Sequence, residues 1–447
     1  MTKKYDIIIV GGGPAGIFAA LELSQVPDLS ILLIEKGEDI DKRSNLVCGL
    51  GGAGAYSDGK LTLSPQVGGH LQEYLGKDDT QALIRYVDEI YLKFGAPDRL
   101  YGVGDEIDRI SRQASLAGLR LIPVPLRHLG TERCRSVLRE IRDYLIPRLE
   151  LKLETAASSI IVDNGKVKGI ETAGGERFDC DYLILAPGRE GADWLLTQAK
   201  QLNLTIHNNP VDVGVRVEVP VAVMEELTSV LYEAKLEFFS RSFDDRIRTF
   251  CMCPGGEVTM ETTGGADPVI TVNGHSYANL GSSNTNFALL VSTDFTEPFR
   301  EPIAYGKHLA RLANILSGGV LVQRLGDLMG GHRSTTARIE RGIVRPTLKE
   351  ATPGDLSFVL PYRHLTGVLE MLEAIDKLAP GVADKNTLLY GVEVKFYSFR
   401  PHLSPSLETE VSNIFAAGDG AGVSRGLVQA SASGVVAARE ILRRSNR

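Results

Sequence analysis

A glycine turn near the start of the sequence, Gly11-Gly12-Gly13-Pro14-Ala15-Gly16, constrains the fold more than any other segment. It follows the run YDIIIV at 5–10, which is short and β-branched, as buried parallel strands are. It precedes a segment at 16–25 with helical spacing of apolar residues, and a second buried strand is predicted over 29–37. The sequence therefore predicts a βαβ unit whose helix begins where the backbone approaches a ligand.

The turn matches the pattern G-x-G-x-x-G, and each glycine has a separate role in that pattern. Gly11 makes the tight turn, Gly13 lets the backbone reach a pyrophosphate, and Gly16 lets the helix pack closely on the strand. The start of the helix then presents N–H groups and partial positive charge to phosphates. Glu35, at the end of the second strand, is placed to accept hydrogen bonds from a ribose diol. Together these features predict a dinucleotide site.

Two later segments indicate which dinucleotide the turn holds. Gly418-Asp419-Gly420 follows the apolar strand IFAA and precedes a long predicted helix. An aspartate at such a turn can bind a ribityl hydroxyl, a group that FAD has and NAD lacks. The segment LILAPG at 183–188 ends a predicted three-strand meander over 150–186. No second G-x-G-x-x-G occurs in 205–400, so a dedicated NAD(P)H domain is not expected.

Composition argues against several classes of partner. The formal net charge is −7 and the sequence has no polybasic block, which argues against nucleic acid and anionic membrane surfaces. No apolar run approaches the roughly 18–20 residues of a membrane span, and the first apolar run is too short for a signal-peptide core. Five cysteines in a chain of 447 residues are typical of reduced thiols in the cytosol. A cytoplasmic location is therefore expected.

The ordered set GGGPAG…E, LILAPG and FAAGDGAG resembles the two-dinucleotide-binding-domain flavoproteins of the glutathione reductase superfold. Within that superfold, GLGGAGAYSDGKL, VGVRVE, FCMCPGG, GVEVKFYS and GDGAGVSRGLVQASASG are similar to a family of FAD-dependent dehydrogenases and oxidoreductases. The resemblance spans essentially the whole chain. Its FAD motifs are specific, whereas its family motifs identify relatives better than they identify a reaction.

The resemblance implies a set of contacts to FAD. Its last member, a helix beginning at Gly426, would stabilise negative charge on the reduced flavin and so raise its reduction potential. The implied contacts are the pyrophosphate (Gly11, Gly13, Pro14, Ala15 and Gly16, with Gly188 near it), the adenosine ribose (Glu35), the adenine (Ala156 and Ala157), the underside of the flavin (Gly51, Gly52, Ala53 and Gly54), the ribityl chain and pyrophosphate region (Asp419) and the flavin pyrimidine (Gly426, Leu427, Val428 and Gln429). Lys36, Ala186 and Gly418 are further cofactor-binding candidates.

The expected fold class is α/β: a Rossmann-like FAD-binding domain, with a parallel sheet and a β-meander, interrupted by an inserted α+β substrate domain. The FAD-binding domain is predicted over 1–204, with a helical insertion at about 70–130, and again over 401–447. The substrate domain is predicted over 205–400. No metal site is expected.

Two cysteine patterns bear on redox chemistry. Cys48 lies near the position at which disulfide reductases of this superfold place a redox cysteine, but Ala53 and Ala55 follow where a second cysteine is required. Disulfide reductase activity is therefore rejected. Cys251 and Cys253 form C-x-C on a predicted strand, which puts both on one face. They are interpreted as two small half-buried thiols, with a redox or metal pair as the alternative.

Catalytic candidates come from the flavin-side loop and the substrate domain. Tyr56, Asp58 and Lys60 could take part in proton transfer, although Asp58 and Lys60 could equally close a turn. Tyr397 and His332 are the candidate general acids. Because arginine pairs rigidly with carboxylates, a set of cationic and hydrogen-bonding residues is proposed for anion recognition, with Arg425 preferred. That set is His332, Arg333, Arg345, Lys395, Tyr397, Arg400 and Arg425.

Three functions fit these residues. The first is a dehydrogenase or double-bond reductase that moves a hydride between flavin N5 and a small organic substrate. The second is a flavin monooxygenase or oxidase on the same scaffold. The third is a non-enzymatic binding protein, like relatives that escort lipidated GTPases, which the intact FAD motifs disfavour. Electrons would come from transiently docked NAD(P)H or from a protein donor.

Overall fold

The computed structural model describes residues 3–45, 48–207, 209, 211–263, 268–276, 281–292, 301–396 and 399–445. Tyr397, a predicted general acid, lies outside these ranges. The chain divides into two compact units. The first contains Met1–Arg99, Arg127–Asn209 and Ser398–Arg447, and the second contains Leu100–Leu126 and Pro210–Tyr397.

The regular elements are numbered in chain order. The strands are β1 (Lys3–Val10), β2 (Ile31–Ile34), β3 (Lys60–Thr62), β4 (Arg120–Leu121), β5 (Leu126–His128), β6 (Glu150–Lys152), β7 (Ala157–Asp163), β8 (Lys166–Thr172), β9 (Arg177–Leu185), β10 (Ile206–His207), β11 (Asp212–Pro220), β12 (Leu236–Phe239), β13 (Arg246–Cys253), β14 (Glu257–Thr263), β15 (Val269–His275), β16 (Asn284–Ser292), β17 (Leu321–Arg324), β18 (Thr352–Pro353), β19 (Leu388–Lys395), β20 (Arg400–Pro401) and β21 (Ile414–Ala416). The helices are α1 (Pro14–Leu23), α2 (Leu71–Leu75), α3 (Lys77–Lys93), α4 (Glu106–Leu116), α5 (Thr131–Leu145), α6 (Ala192–Gln201), α7 (Val221–Leu231), α8 (Pro302–Ser317), α9 (Leu325–Met329), α10 (Thr336–Glu340), α11 (Tyr362–Leu378) and α12 (Leu427–Arg444). Short 3-10 helices cover Gly52–Tyr56, Leu356–Phe358 and Asp419–Ala421.

The first unit is built on a seven-stranded sheet of order β6-β2-β1-β9-β8-β7, with β21 also paired to β9. The pairs β1–β2, β1–β9, β2–β6 and β9–β21 are parallel, whereas β7, β8 and the start of β9 form an antiparallel meander. Strands covered on both faces are expected to be apolar throughout, and Ile7, Ile8, Ile9, Leu32 and Leu33 are all buried. The predicted Rossmann-like α/β class is confirmed.

Helices α1 and α12 pack directly against each other in the first unit. A methyl group at Gly434 would lie 1.9 Å from the carbonyl oxygen of Ala15 and 3.0 Å from the backbone nitrogen of Ala19. Only a residue without a Cβ atom allows this separation between the two helices. The helix after the first strand and the last helix of the chain are therefore joined at one close contact.

The second unit contains an eight-stranded sheet of order β18-β17-β19-β11-β16-β13-β12-β4 and the hairpin β14–β15. The sheet is antiparallel except for the β17–β18 pair. Strand β4 joins it because Leu121 pairs with Leu236 of β12. The helical insertion predicted at about 70–130 is thus divided, with α2 and α3 in the first unit and α4 in the second. No helix within the described ranges is long and apolar enough to cross a membrane.

Candidate functional site

Two glycines of the N-terminal turn are required by the protein's own packing. Gly11 has a φ of +108°, and a methyl group there would lie 2.0 Å from the carbonyl oxygen of Ala186. A methyl group at Gly16 would lie 1.9 Å from the carbonyl oxygen of Gly11. These contacts hold the end of β1, the start of α1 and the end of β9 together, because no side chain fits between them.

Gly13 differs from both, because nothing in the described protein explains why it is glycine. Its φ is −81° and its ψ is −176°, an extended conformation that any residue can adopt. A methyl group there would meet no described atom closer than Gly52 Cα, at 3.9 Å. Gly13 is also the N-cap of α1, and no described side chain caps the helix there. The helix start is therefore left open to a ligand.

A glycine-rich loop lies against the starts of both α1 and α12. Gly51 donates its N–H to the carbonyl of Gly12 at 2.7 Å. A methyl group at Gly54 would lie 2.9 Å from Leu427 Cδ2 and 3.2 Å from Pro14 Cγ. The 3-10 helix Gly52–Tyr56, which includes Ala53, therefore contacts the first residue of each helix.

The side chain of Arg43 stabilises the conformation of this loop. Its guanidinium donates to the carbonyls of Leu50 at 2.9 Å and Gly52 at 2.7 Å, and its remaining nitrogens donate to the carbonyl of Asn45. It also lies over the ring of Tyr56, 4.9 Å from the centroid. Arg43 is buried, and its contacts fix the peptide groups that pass beneath the start of α1.

Glu35 occupies the end of β2, where a ribose-binding carboxylate is predicted. Its carboxylate is buried and accepts N–H groups from Gly12 at 2.8 Å, Gly37 at 2.9 Å and Gly49 at 3.1 Å. The thiol of Cys48 also donates to Oε1 at 3.8 Å, whereas Oε2 accepts only the N–H of Gly12 among the described residues. Because each carboxylate oxygen has about two acceptor positions, Oε2 keeps capacity for one hydroxyl. Lys36 is exposed, with its ammonium 3.4 Å from Glu190.

The segment predicted at the adenine runs beside Glu35. Thr155 donates its N–H to the carbonyl of Glu35 at 2.9 Å, and Ala156 and Ala157 follow directly, half-buried. The carbonyl of Ala156 accepts the N–H of Ala173. The predicted adenine and ribose contacts are therefore neighbours in the structure.

Asp419 begins the turn that follows β21, and the hydroxyl of Ser424 donates to its carboxylate at 2.5 Å. The preceding Gly418 has a φ of +77° and donates its N–H to the hydroxyl of Ser433. A methyl group at Gly420 would lie 2.4 Å from the carbonyl oxygen of Gly188. The predicted pyrophosphate glycine at 188 and the predicted ribityl aspartate are thus brought together in the first unit.

Helix α12 begins at Leu427 with Gly426 as its N-cap, and no described side chain caps it. Its first turn, Gly426 to Gln429, is wrapped by the segment that precedes α2. The buried Gln429 side chain donates to the carbonyls of Pro65 and Val67 and accepts the N–H of Leu71. Val428 is buried beside it.

A polar cluster lies beside this first turn. The sequence predicted two of its members, Arg400 and Arg425, but not the other two, His70 and Glu73. His70 Nδ1 lies 2.6 Å from a carboxylate oxygen of Glu73, whose other oxygen accepts from Arg400 at 2.5 Å. The backbone N–H of Arg425 donates to the carbonyl of Gly68, and the backbone N–H of His70 donates to the carbonyl of Val423. We name His70, Glu73, Arg400 and Arg425 the His70 cluster.

The chemistry of the His70 cluster is set by burial and by charge. His70 Nε2 is buried and has no hydrogen-bond partner among the described residues, which is uncommon in native proteins and points to a ligand. Burial lowers the pKa of His70, and the positive charge of Arg425 lowers it further against the opposing effect of Glu73. His70 is therefore neutral at pH 7, and its contact with Glu73 places the proton on Nδ1 and leaves Nε2 as an acceptor.

The other predicted catalytic residues have the following surroundings within their own units. Lys60 is ion-paired with Asp58, Nζ to carboxylate oxygen 2.8 Å, and the side chains of both are largely buried. His332 is exposed in the turn between α9 and α10 of the second unit, where its carbonyl accepts from Gln323. Lys395 pairs with Glu393, and Arg345 donates to the carbonyl of Glu340. Their proposed roles remain predictions.

Some of these residues carried a signal that the sequence analysis did not use. Gly68-Gly69-His70 precedes a helix start, as a ligand-binding segment does, and Glu73 follows His70 at the i+3 spacing of helical neighbours. Arg43 carried none, because its contacts are to carbonyl groups of a loop whose path the sequence does not specify.

Three protein-family models match the chain, and two of them overlap over residues 349–396. The FAD binding domain matches residues 6–210, and the FAD-dependent protein, C-terminal domain-like family matches residues 210–396. The family named glucose inhibited division protein A matches residues 349–447.

The individual proteins that are similar to this chain have low sequence identity to it. An uncharacterized protein of Clostridium beijerinckii is 29% identical over 480 residues, covering 97% of this chain and 80% of the relative. The L-proline dehydrogenase of P. horikoshii is similar in fold, with 12% identity, a TM-score of 0.45, and coverage of 99% and 94% of the two chains. The glycine oxidase of Geobacillus kaustophilus has 14% identity, a TM-score of 0.42 and coverage of 99% and 95%. Likeness at this level carries no argument about substrate. The two longer matches identify residues 6–210 as a FAD binding domain and residues 210–396 as a domain of the FAD-dependent protein, C-terminal domain-like family.

Proposed function

We propose that the protein is a dehydrogenase for a small organic anion, with the reverse reaction, reduction of a double bond, available on the same site. In the oxidative direction the substrate loses a hydride and a proton. FAD, when bound, supplies the hydride acceptor. The rest of the proposal concerns what the residues of this chain do: they hold the cofactor, bind the anion and accept the proton.

The observation that carries the proposal is the open position at Gly13. Packing and backbone conformation explain Gly11 and Gly16, whereas only a bound group explains Gly13. A pyrophosphate fits this position, because the N–H groups at the start of α1 point to it and the helix dipole favours negative charge there. Glu35, beside the start of α1, and Asp419, beside Gly188, are the residues proposed to bind the ribose and ribityl hydroxyls of FAD.

His70 is the proposed proton acceptor, because Nε2 is the buried acceptor atom of the His70 cluster. Glu73 orients the imidazole through Nδ1, and Arg400 in turn holds Glu73. Arg425 is the proposed anion-binding residue, since its positive charge is close enough to the His70 imidazole to lower the pKa of that group. A carboxylate near Arg425 would bring the carbon to be oxidised within reach of His70.

The proposal is tested first by the spectrum and then by a substrate panel. The purified protein should absorb near about 450 nm, and anaerobic mixing with a panel of hydroxy and amino acids should bleach that band. Bleaching only by neutral compounds would overturn the assignment of Arg425. Fast formation of peroxide or an oxygenated product by the reduced protein would instead favour an oxidase or monooxygenase.

Replacing His70 by glutamine is expected to remove one limb of the pH profile. Because burial and Arg425 lower the pKa of His70, the neutral imidazole dominates at pH 7 and is lost only as the pH falls below about 6.5. The bleaching rate of the wild type should therefore rise with pH through the acidic range and then level off. His70→Gln should be slower by roughly 10²–10⁴-fold and flat over that range, with FAD content unchanged.

Rapid-reaction measurements from pH 4.5 to 8 check this prediction, and Arg400→Gln is the matched control. Arg400 donates to Glu73, and its charge also lowers the pKa of His70, less than that of Arg425 does. We therefore expect Arg400→Gln to keep the acidic limb, moved to higher pH, and to lose less rate than His70→Gln. An unchanged acidic limb in His70→Gln would assign the proton to another residue.

The electron acceptor that completes turnover is proposed to be transiently docked NAD(P) or a protein partner. The absence of a second glycine fingerprint in 205–400 supports transient docking. Reoxidation by NAD(P) in the absence of oxygen would distinguish the two. The cytoplasmic location remains a prediction from cysteine content.

A further inference from the structure

Two thiols in the second unit lie unusually close together. All five cysteines are present as thiols, and Cys251 and Cys253 have their sulfur atoms 4.0 Å apart. Residues i and i+2 of a regular strand point to one face but are separated by nearly 7 Å along the strand. A local distortion of β13 is therefore needed to bring the two sulfurs together.

The distortion is at Cys251 itself. Its φ is +45°, in the left-handed region that residues with a Cβ atom rarely adopt. The pairing of β13 with β16 shifts register between Phe250 and Cys253, as at a β-bulge. Non-glycine residues held in this conformation are strained and occur most often at functional positions.

The two thiols differ in their exposure to solvent, and both lie close to the buried guanidinium of Arg216. Cys253 is fully buried, whereas Cys251 is partly exposed. Arg216 donates from Nη1 to the carbonyl of Cys251 at 3.0 Å, and its positive charge acts on both sulfurs. Arg216 is itself ion-paired with Glu393 at 2.7 Å. The negative charge of Glu393 therefore offsets part of the positive charge that acts on the two sulfur atoms. One accessible thiol beside one protected thiol is the arrangement of an attacking and a resolving cysteine.

The other thiols provide a contrast. Burial raises the pKa of Cys134 and of Cys180 to about 12, so neither forms a thiolate near pH 7. Burial also raises the pKa of Cys48, and Glu35 beside it adds to the effect.

We propose that Cys251 and Cys253 form a redox dithiol that a small disulfide oxidises to an intrachain disulfide. The thiolate of Cys251 attacks one sulfur of the small disulfide, forms a mixed disulfide and releases one thiol. The thiolate of Cys253 then attacks the sulfur of Cys251, which releases the second thiol. The pair loses two electrons and two protons, and the small disulfide gains them. This site is independent of the proposed dehydrogenase activity.

The test uses the full-length holoprotein in buffers of oxidised and reduced glutathione, followed by acid quenching, alkylation and peptide mass spectrometry. We expect the peptide that contains both cysteines to lose two hydrogen atoms at oxidising ratios and to regain them at reducing ratios. Cys253→Ala should stop the reaction at the first step and accumulate about tenfold more glutathione adduct on Cys251 than the wild type does. Cys134→Ala is the matched control and should behave as the wild type.

Three results would overturn the proposal. One is a wild-type protein that keeps both thiols until it is unfolded. Another is a stable adduct on Cys251 of the wild type, which would mean that Cys253 does not resolve it. The third is the absence of an adduct in Cys253→Ala when its melting temperature matches that of the wild type. Should Cys253→Ala not fold, Cys251→Ser gives the decision, since it must abolish disulfide formation while the buried Cys253 stays unmodified.

Discussion

Gly13→Ala is expected to fold and to lose FAD. The new methyl group has room in the described protein, with Gly52 Cα as its nearest neighbour at 3.9 Å, and the backbone there is extended. The methyl group would instead occupy the space proposed for the pyrophosphate at the start of α1. Losing that approach removes hydrogen bonds to a charged group, which is worth about 3 kcal/mol or roughly a hundredfold in affinity.

The measurement is FAD content after gel filtration, followed by titration of the apoprotein with FAD. Gly16→Ala is the control, because its methyl group would lie 1.9 Å from the carbonyl oxygen of Gly11. It should lower the melting temperature of the apoprotein, whereas Gly13→Ala should not. Full retention of FAD by Gly13→Ala would show that this position does not contact the cofactor.

Arg216→Met is expected to destabilise the second unit by about 3–5 kcal/mol, because the fully buried Glu393 carboxylate keeps Lys395 but loses the guanidinium that contacts both of its oxygens. Arg216 and Glu393 are both fully buried, and two guanidinium nitrogens contact the two carboxylate oxygens at 2.7 and 3.0 Å. Burial alone would raise the pKa of Glu393, but the charges of Arg216 and Lys395 lower it below its usual range. The same substitution removes the donor to Asn286.

Urea unfolding of the apoprotein measures this effect. The double variant Arg216→Met with Glu393→Leu is the control, because it removes both charges and should recover much of the loss. A free energy of unfolding for Arg216→Met within about 1 kcal/mol of the wild type would contradict the prediction. Equal losses in the single and double variants would mean that the pair's hydrogen bonds to other groups matter more than its charge.

Local patterns allowed the sequence to predict the first unit's cofactor elements. The turn at 11–16 has its strand, helix and acidic residue within one short segment, and the structure places β1, α1 and β2 there. The meander was predictable because Asn164 and Gly165 form a turn with positive φ at both residues. Each of these signals depends on neighbours in sequence, where propensity and periodicity act.

Contacts between distant segments were not predictable from the sequence. Strand β4 belongs to the second unit only because Leu121 pairs with Leu236. Arg216 has its partner on β19, and the choice of Glu393 depends on strand order. In the His70 cluster, His70 and Glu73 are neighbours along the chain, but Arg400 and Arg425 reach them from its far end. Single-sequence reasoning has no measure of such proximity.

The close contact between Gly434 and Ala15 also bears on how the protein matures. Helix α1 emerges early from the ribosome, whereas α12 is translated only after the whole second unit. The first unit cannot complete its fold without α12. We therefore expect the glycine turn at 11–16 of a nascent chain to lack its packing against α12 until that helix is synthesised, which takes tens of seconds. Cofactor capture would then follow translation of α12, and chaperone protection during that interval would matter more for this protein than for one whose nucleotide fold is contiguous.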